Sequence, residues 1–79
     1  MPQSHADERE ALGRFGKNVR NLRKKRGLSQ EELAAEAELD RTYMGGVERG
    51  ERNLGLLNVA KIAKALGVTS AQLCEGIDP

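Results

Sequence analysis

The segment LSQEELAAEAELDRTYMGGVERGERN occupies residues 28–53 and combines two short helical patterns with a tight turn between them. Ser29 followed by Glu32 predicts a capping box at the start of one helix, in which each side chain accepts a hydrogen bond from the other residue's backbone N–H. Asp40 is a favourable N-cap for a second helix over residues 41 to about 49. The segment therefore predicts two short helices that cross at a turn of about three residues.

The flanking sequence predicts three further helices. Apolar residues recur at intervals of three and four between residues 9 and 26, and Gly27 ends that helix. Residues 56–66 repeat the pattern with Leu56 as the first inward residue, and Thr69 with Gln72 begins a short last helix that ends near residue 76. No segment alternates with period two, so no strand is expected. We predict an all-α, five-helix domain over residues 9–77, preceded by a flexible tail of residues 1–8.

Composition excludes several classes of protein and site. The chain has 79 residues, one Cys and one His, so neither a disulfide framework nor a zinc site is expected, and no metal or cofactor is predicted. No run of about 18 apolar residues is present, and the polar start MPQSHADERE lacks the apolar stretch of a secretory signal. The sequence therefore predicts a cytoplasmic protein without a membrane partner.

Charge is unevenly distributed although the formal net charge is only +1. Every charged residue from Arg14 to Arg26 is basic, whereas acidic residues gather before and after this run. Such a run forms either a solvated helix face or a surface that faces phosphates, and the pattern alone leaves both open.

The helix predicted from residue 41 has dimensions that suit a duplex. A helix is about 10 to 12 Å across, and the major groove of B-DNA is about 12 Å wide. Met44 and Val47 are expected to point into the protein. The residues left for the groove are Arg41, Thr42, Tyr43, Gly45 and Gly46.

The segment 28–53, followed by LLNVAKIAKALGV at 56–68, resembles helix-turn-helix regulators of the Cro and cI repressor type over roughly residues 12–75. The parts LDRTY and VERGERN are most similar to controller proteins of bacterial restriction-modification systems. This resemblance implies a compact λ-repressor-like DNA-binding domain with a central helix-turn-helix.

The resemblance also implies which residues contact double-stranded DNA. Gln30 matches a phosphate contact at a helix N-terminus, and Arg41 and Thr42 match the leading base-reading positions. The other implied interface positions are Arg23, as a phosphate contact, and Tyr43, Gly46, Arg52 and Asn53. Alternatives remain: Gln30 as an ordinary first-turn residue, Tyr43 packed on the first helix, and Glu48 and Arg49 in an intramolecular ion pair.

A single helix in the groove cannot specify one operator, so a homodimer is expected, with its two reading helices about 34 Å apart on a pseudo-palindromic site. The resemblance implies that the last two helices supply the dimer interface, through Leu66, Val68, Leu73 and Ile77. The alternative for Leu66 and Leu73 is that they close the monomer core.

The leading functional hypothesis is a bacterial, nucleoid-associated transcriptional regulator of its own gene and of a restriction endonuclease gene. The resemblance implies that Glu31 is the candidate contact to the RNA polymerase σ subunit, with solubility and helix-dipole complementarity as the alternative. A phage- or plasmid-type repressor and the antitoxin of a toxin–antitoxin pair remain alternative functions. The chain has neither a glycine-rich phosphate loop nor a nucleophile with a partner His, so an enzyme is not expected.

Overall fold

The computed structural model describes residues 5–78, with side chains for residues 7–78, and confirms the all-α prediction over that range. Its five helices are α1 (His5–Lys25), α2 (Gln30–Ala37), α3 (Arg41–Glu48), α4 (Leu56–Leu66) and α5 (Ser70–Leu73). No strand occurs among these residues.

The first helix starts earlier than predicted. Residues 5–8, expected in the tail, are the first turn of α1, while residues 1–4 lie outside the described range. Asp7 and Glu8 lie in this first turn and Arg23, Lys24 and Lys25 in the last. Acidic residues at a helix N-terminus and basic residues at its C-terminus both complement the helix dipole, which favours the longer helix.

Both ends of α2 are fixed by local interactions. The predicted capping box is present, with Glu32 N–H donating to Ser29 Oγ at 3.0 Å and Ser29 N–H donating to Glu32 Oε1 at 2.8 Å. The backbone N–H of Ser29, with help from its hydroxyl, holds the pKa of Glu32 below its ordinary value. At the other end, Glu38 adopts a left-handed conformation with φ 57° and turns the chain towards α3.

The remaining helix ends also follow the sequence signals, except at the C-terminus of α5. Asp40 caps α3 by accepting a hydrogen bond from Tyr43 N–H at 3.1 Å, and Thr69 and Gln72 form the second capping box. Helix α5 ends at Leu73, three residues before the predicted end, and continues into a turn.

The five helices bury one apolar core, and its fully buried side chains come from every helix. This core consists of Phe15, Val19, Leu33, Ala34, Ala37, Met44, Val47, Ile62, Ala63, Leu66 and Leu73. Helix α1 lies directly on the backbone of α3: a Cβ built at Gly16 would lie 2.6 Å from the carbonyl oxygen of Glu48. Helix α3 is thus held in place by its contacts with both the core and α1.

Candidate nucleic-acid interface

Helix α3 buries the two residues that were predicted to point inward, and its exposed residues lie in its first turn. Met44 and Val47 are 0% and 1% exposed, while Arg41 and Thr42, in its first turn, are exposed. The N-cap bond from Asp40 fixes this turn. The two leading candidates for base contact therefore project from the end of the helix that enters a groove in helix-turn-helix proteins.

Gly45 and Gly46 do not face solvent, contrary to prediction. Both are buried because arginine side chains fold over them. A Cβ built at Gly46 would lie 3.0 Å from Cγ and Nε of Arg52, and one at Gly45 would lie 3.2 Å from Nη1 of Arg49. The predicted contact through Gly46 is therefore wrong for the structure as it stands, where Arg52 covers that glycine.

Tyr43 bridges α3 and α4. Its ring is half-buried against the core, and its hydroxyl accepts a hydrogen bond from Asn58 Nδ2 at 3.1 Å. The guanidinium of Arg52 lies 6.0 Å from the ring centroid, within the range of a weak cation–π contact. Tyr43 therefore helps to position Arg52, which with Asn53 is exposed in the segment after α3.

Gln30 occupies the first position of α2 beside the middle of α3. Its Nε2 donates to Glu48 Oε1 at 2.9 Å, and its Oε1 lies 3.6 Å from where a Cβ of Gly45 would stand. The side chain is half-buried and held against α3. It is therefore more than an ordinary first-turn residue, and it lies at the junction of the two motif helices. Glu31, next to it, is exposed.

Arg23 is not available for the phosphate contact that the resemblance implied. Its Nε and Nη2 donate to the two carboxylate oxygens of Glu48 at 2.7 and 3.0 Å, and its Nη1 donates to the Leu28 carbonyl at 2.8 Å. The two side chains of the pair are 11% and 2% exposed. All three guanidinium nitrogens are therefore engaged inside the protein, and Arg23 ties α1 to α3.

Glu48 is the residue whose partners the sequence analysis missed. The expectation of an intramolecular ion pair for Glu48 and for Arg49 is confirmed: Glu48 pairs with Arg23, and Arg49 with Glu51 at 3.1 Å between Nε and Oε2. A signal was present in the sequence, because Glu48 lies four residues after Met44 and one after Val47 and so belongs to the buried stripe.

The other basic residues of the run 14–26 are exposed, but two of them form hydrogen bonds to backbone carbonyls elsewhere in the protein. Arg14 Nε donates to the Glu75 carbonyl at 3.3 Å and Arg26 Nη1 to the Ala65 carbonyl at 3.0 Å. Lys17, Arg20 and Lys24 are exposed. Some residues of the run therefore join α1 to other parts of the protein, and the others give α1 a positive outer surface.

The predicted dimer surface needs correction. Leu66 and Leu73 are 1% and 0% exposed and belong to the monomer core, so they cannot lie on an interface. Val68 and Ile77 are half-buried. Leu56, which was expected to point inward, is 82% exposed and Leu57 is 76% exposed. The large exposed apolar side chains thus lie on the outer side of α4.

Comparison with known proteins agrees with this geometry. A family model described as helix-turn-helix matches residues 19–73. The control protein C.MunI from Mycoplasma sp is 47% identical over 66 residues, which are 82% of this chain and 89% of that protein. None of the helices that the structure describes combines the length and apolar character of a membrane span.

Solved structures give the same result. The restriction-modification controller protein C.AhdI from Aeromonas hydrophila superposes with a TM-score of 0.77 and 52% identity, over 78% of this chain and 94% of that one. The controller protein C.Esp1396I, solved as a tetramer in complex with its natural 35-base-pair operator, has a TM-score of 0.76 and 34% identity, over 85% of this chain and 88% of that one. The chain described here therefore belongs to the helix-turn-helix family, among relatives that include controller proteins of restriction-modification systems.

Proposed function

We propose that this protein is a sequence-specific transcriptional regulator that binds a pseudo-palindromic operator as a homodimer and controls its own gene and a restriction endonuclease gene. The observation that carries the proposal is the outward side of α3, where exposed Arg41 and Thr42 stand on a helix anchored by Met44 and Val47. Residues 9–77 form the DNA-binding and dimerisation unit, which acts on the bacterial nucleoid in the cytoplasm. The family contains regulators rather than enzymes.

Arg41 and Thr42 read bases in this proposal, and the other contacts position the protein. Arg can bind guanine O6 and N7 in a bidentate manner, and Thr can contact a base edge or a thymine methyl group. Gln30 binds a phosphate with the amide hydrogen that Glu48 leaves free, and Tyr43, Arg52 and Asn53 contact the backbone or flanking bases. Phosphate contacts fix the register on the duplex, whereas base contacts distinguish sequences.

The homodimer is proposed to form through the outer side of α4, where Leu56 and Leu57 are exposed. Val59, one turn after Leu56, lines a neighbouring groove of about 140 Å³ together with Leu54 and Ile77. An exposed leucine of one protomer and this groove on the other make a self-complementary contact, as a two-fold interface requires. Val68 stays a predicted interface residue.

Regulation by contact with polymerase is a separate part of the proposal. Glu31 is exposed at the first turn of α2, beside Gln30, and is proposed to face the σ subunit. In vitro transcription tests it: Glu31→Lys is expected to retain operator binding and lose activation, and full activation by this variant would exclude the contact.

Titration against DNA tests the central proposal. Purified protein is titrated with a duplex from upstream of its own gene and with a scrambled duplex of the same composition, at several salt concentrations. The upstream duplex is expected to bind at least about 1,000-fold more tightly, and Arg41→Ala to remove most of that preference. Arg9→Ala, which loses the same charge from an exposed position near the start of α1, is the control. Equal affinity for both duplexes would refute the proposal.

A further inference from the structure

Arg49 is the residue that follows the last turn of α3. It comes seven residues after Thr42 and four after Gly45, so the three positions lie on the same side of the helix. Helical side chains lean towards the N-terminus, and Nη1 of Arg49 lies 3.2 Å from where a Cβ of Gly45 would stand. The guanidinium thus lies over the middle of α3 and not beyond its end.

The two glycines make room for this arrangement. Because Gly45 and Gly46 have no side chains, arginine side chains lie directly over the backbone of α3. Arg52 covers Gly46, and the Arg49 guanidinium lies over Gly45 while its side chain stays 59% exposed. Any groove that receives Arg41 and Thr42 therefore meets this guanidinium next along the helix.

Glu51 orients the group and leaves its terminal nitrogens available. The carboxylate accepts from Nε at 3.1 Å, with both side chains more than half exposed. Bidentate recognition of guanine can use the two terminal nitrogens, which face O6 and N7 in the plane of the base. A carboxylate on Nε keeps that plane fixed and does not compete for those donors.

We propose that Arg49 is a further base-reading residue, which contacts a guanine in the major groove from its position over Gly45, with Glu51 as its positioning residue. The inference rests on the proposed DNA-binding function and adds to it a second specificity-determining arginine. It gives Arg49 a DNA contact in addition to its intramolecular ion pair with Glu51.

Selection from a random-sequence pool of duplexes tests the inference. The wild-type protein selects a consensus, and Arg49→Ala repeats the selection. The variant is expected to lose the preference for one guanine in each half-site and to bind the wild-type consensus at least about tenfold more weakly, with a smaller loss on scrambled DNA. Arg49→Lys is not expected to restore the guanine, because an ammonium lacks the bidentate geometry.

Three further variants separate base reading from charge and from folding. Gly45→Ala places a methyl group against the guanidinium, so it is expected to lose the same guanine while the helix becomes more stable. Glu51→Ala is expected to lower discrimination although it removes a negative charge near the DNA. Arg9→Ala, near the start of α1, is expected to leave the consensus unchanged.

The results separate the role of Arg49 from the proposed DNA-binding function on which it rests. If the wild-type protein enriches no sequence, the proposed DNA-binding function fails. If it does enrich one, and Arg49→Ala keeps the same consensus or Arg49→Lys fully restores binding, Arg49 is not a base-reading residue and the inference is overturned.

Discussion

Glu48 receives hydrogen bonds from two other helices and therefore helps to fix the geometry of the candidate interface. Its carboxylate accepts from Arg23 on α1 and from Gln30 on α2. A buried carboxylate is stable only when it is paired and fully hydrogen-bonded. The same bonds that compensate its charge fix how α1, α2 and α3 meet.

Arg23→Met is expected to lower the free energy of unfolding by about 3 kcal/mol or more, because it leaves the Glu48 charge buried without its cation. Urea denaturation measures the effect. The double variant Arg23→Met with Glu48→Met is expected to be more stable than the single one, since no unpaired charge remains. A stable Arg23→Met protein with weaker DNA binding would instead restore Arg23 as a phosphate contact.

Glu38 is a second residue whose conformation has a measurable cost. Its φ of 57° is unfavourable for a side chain with a Cβ. Glu38→Gly is therefore expected to raise the free energy of unfolding by about 1 kcal/mol. Glu36→Gly, at an exposed position inside α2, should lower it by a similar amount. Destabilisation by both glycines would show that no strain is relieved at residue 38.

The sequence predicted the turn at Glu38 but not the hydrogen bonds of Glu48. The turn at residues 38–40 is a local feature, and the cap signals on both sides locate it. The bonds of Glu48 join residues 18 and 25 positions apart, so no local pattern contains them. For the same reason, the resemblance implied a phosphate contact for Arg23, whereas its guanidinium forms hydrogen bonds within the protein.

At the scale of elements, helix starts are the most predictable feature because their signals are local. Both capping boxes and the Asp40 cap formed as expected. Helix α4 was harder, since apolar residues occur on more than one of its sides. A stripe of Leu56, Val59, Ala63 and Leu66 fits the period, yet Leu56 is exposed. Periodicity cannot distinguish a core from a second apolar surface.

The stability that the capping box gives to the start of α2 should depend on pH. The folded-state pKa of Glu32 is lowered by Ser29, so the stabilisation from its ionised form is present above the ordinary pKa of 4.5 and is lost as pH falls through the folded value. Glu32→Gln can accept the same bond without titrating. Its stability should therefore fall less between pH 7 and pH 3 than that of the wild type, as measured by urea denaturation. Equal losses in both proteins would exclude this role for Glu32.

At the scale of the whole molecule, the fold is a small monomer core with an apolar surface left over. Leu57→Glu is expected to convert the proposed dimer into a folded monomer, because the residue is 76% exposed in the monomer and a charge in an apolar interface is costly. Sedimentation velocity gives the mass, and circular dichroism checks the fold. Lys17→Glu, on the exposed side of α1, is the control. A Leu57→Glu protein that stays dimeric would place the interface elsewhere.

The backbone contact between α1 and α3 constrains how such a protein can evolve. Gly16 faces the carbonyl oxygen of Glu48, and a Cβ at Gly50 would lie 2.7 Å from the Cα of Gly13. Two backbones in direct contact have no rotamers through which to adjust. A change of operator specificity is therefore expected to come from substitution of the exposed side chains of α3 and not from a change in its orientation. Related proteins with different operators should have α3 in the same orientation relative to α1.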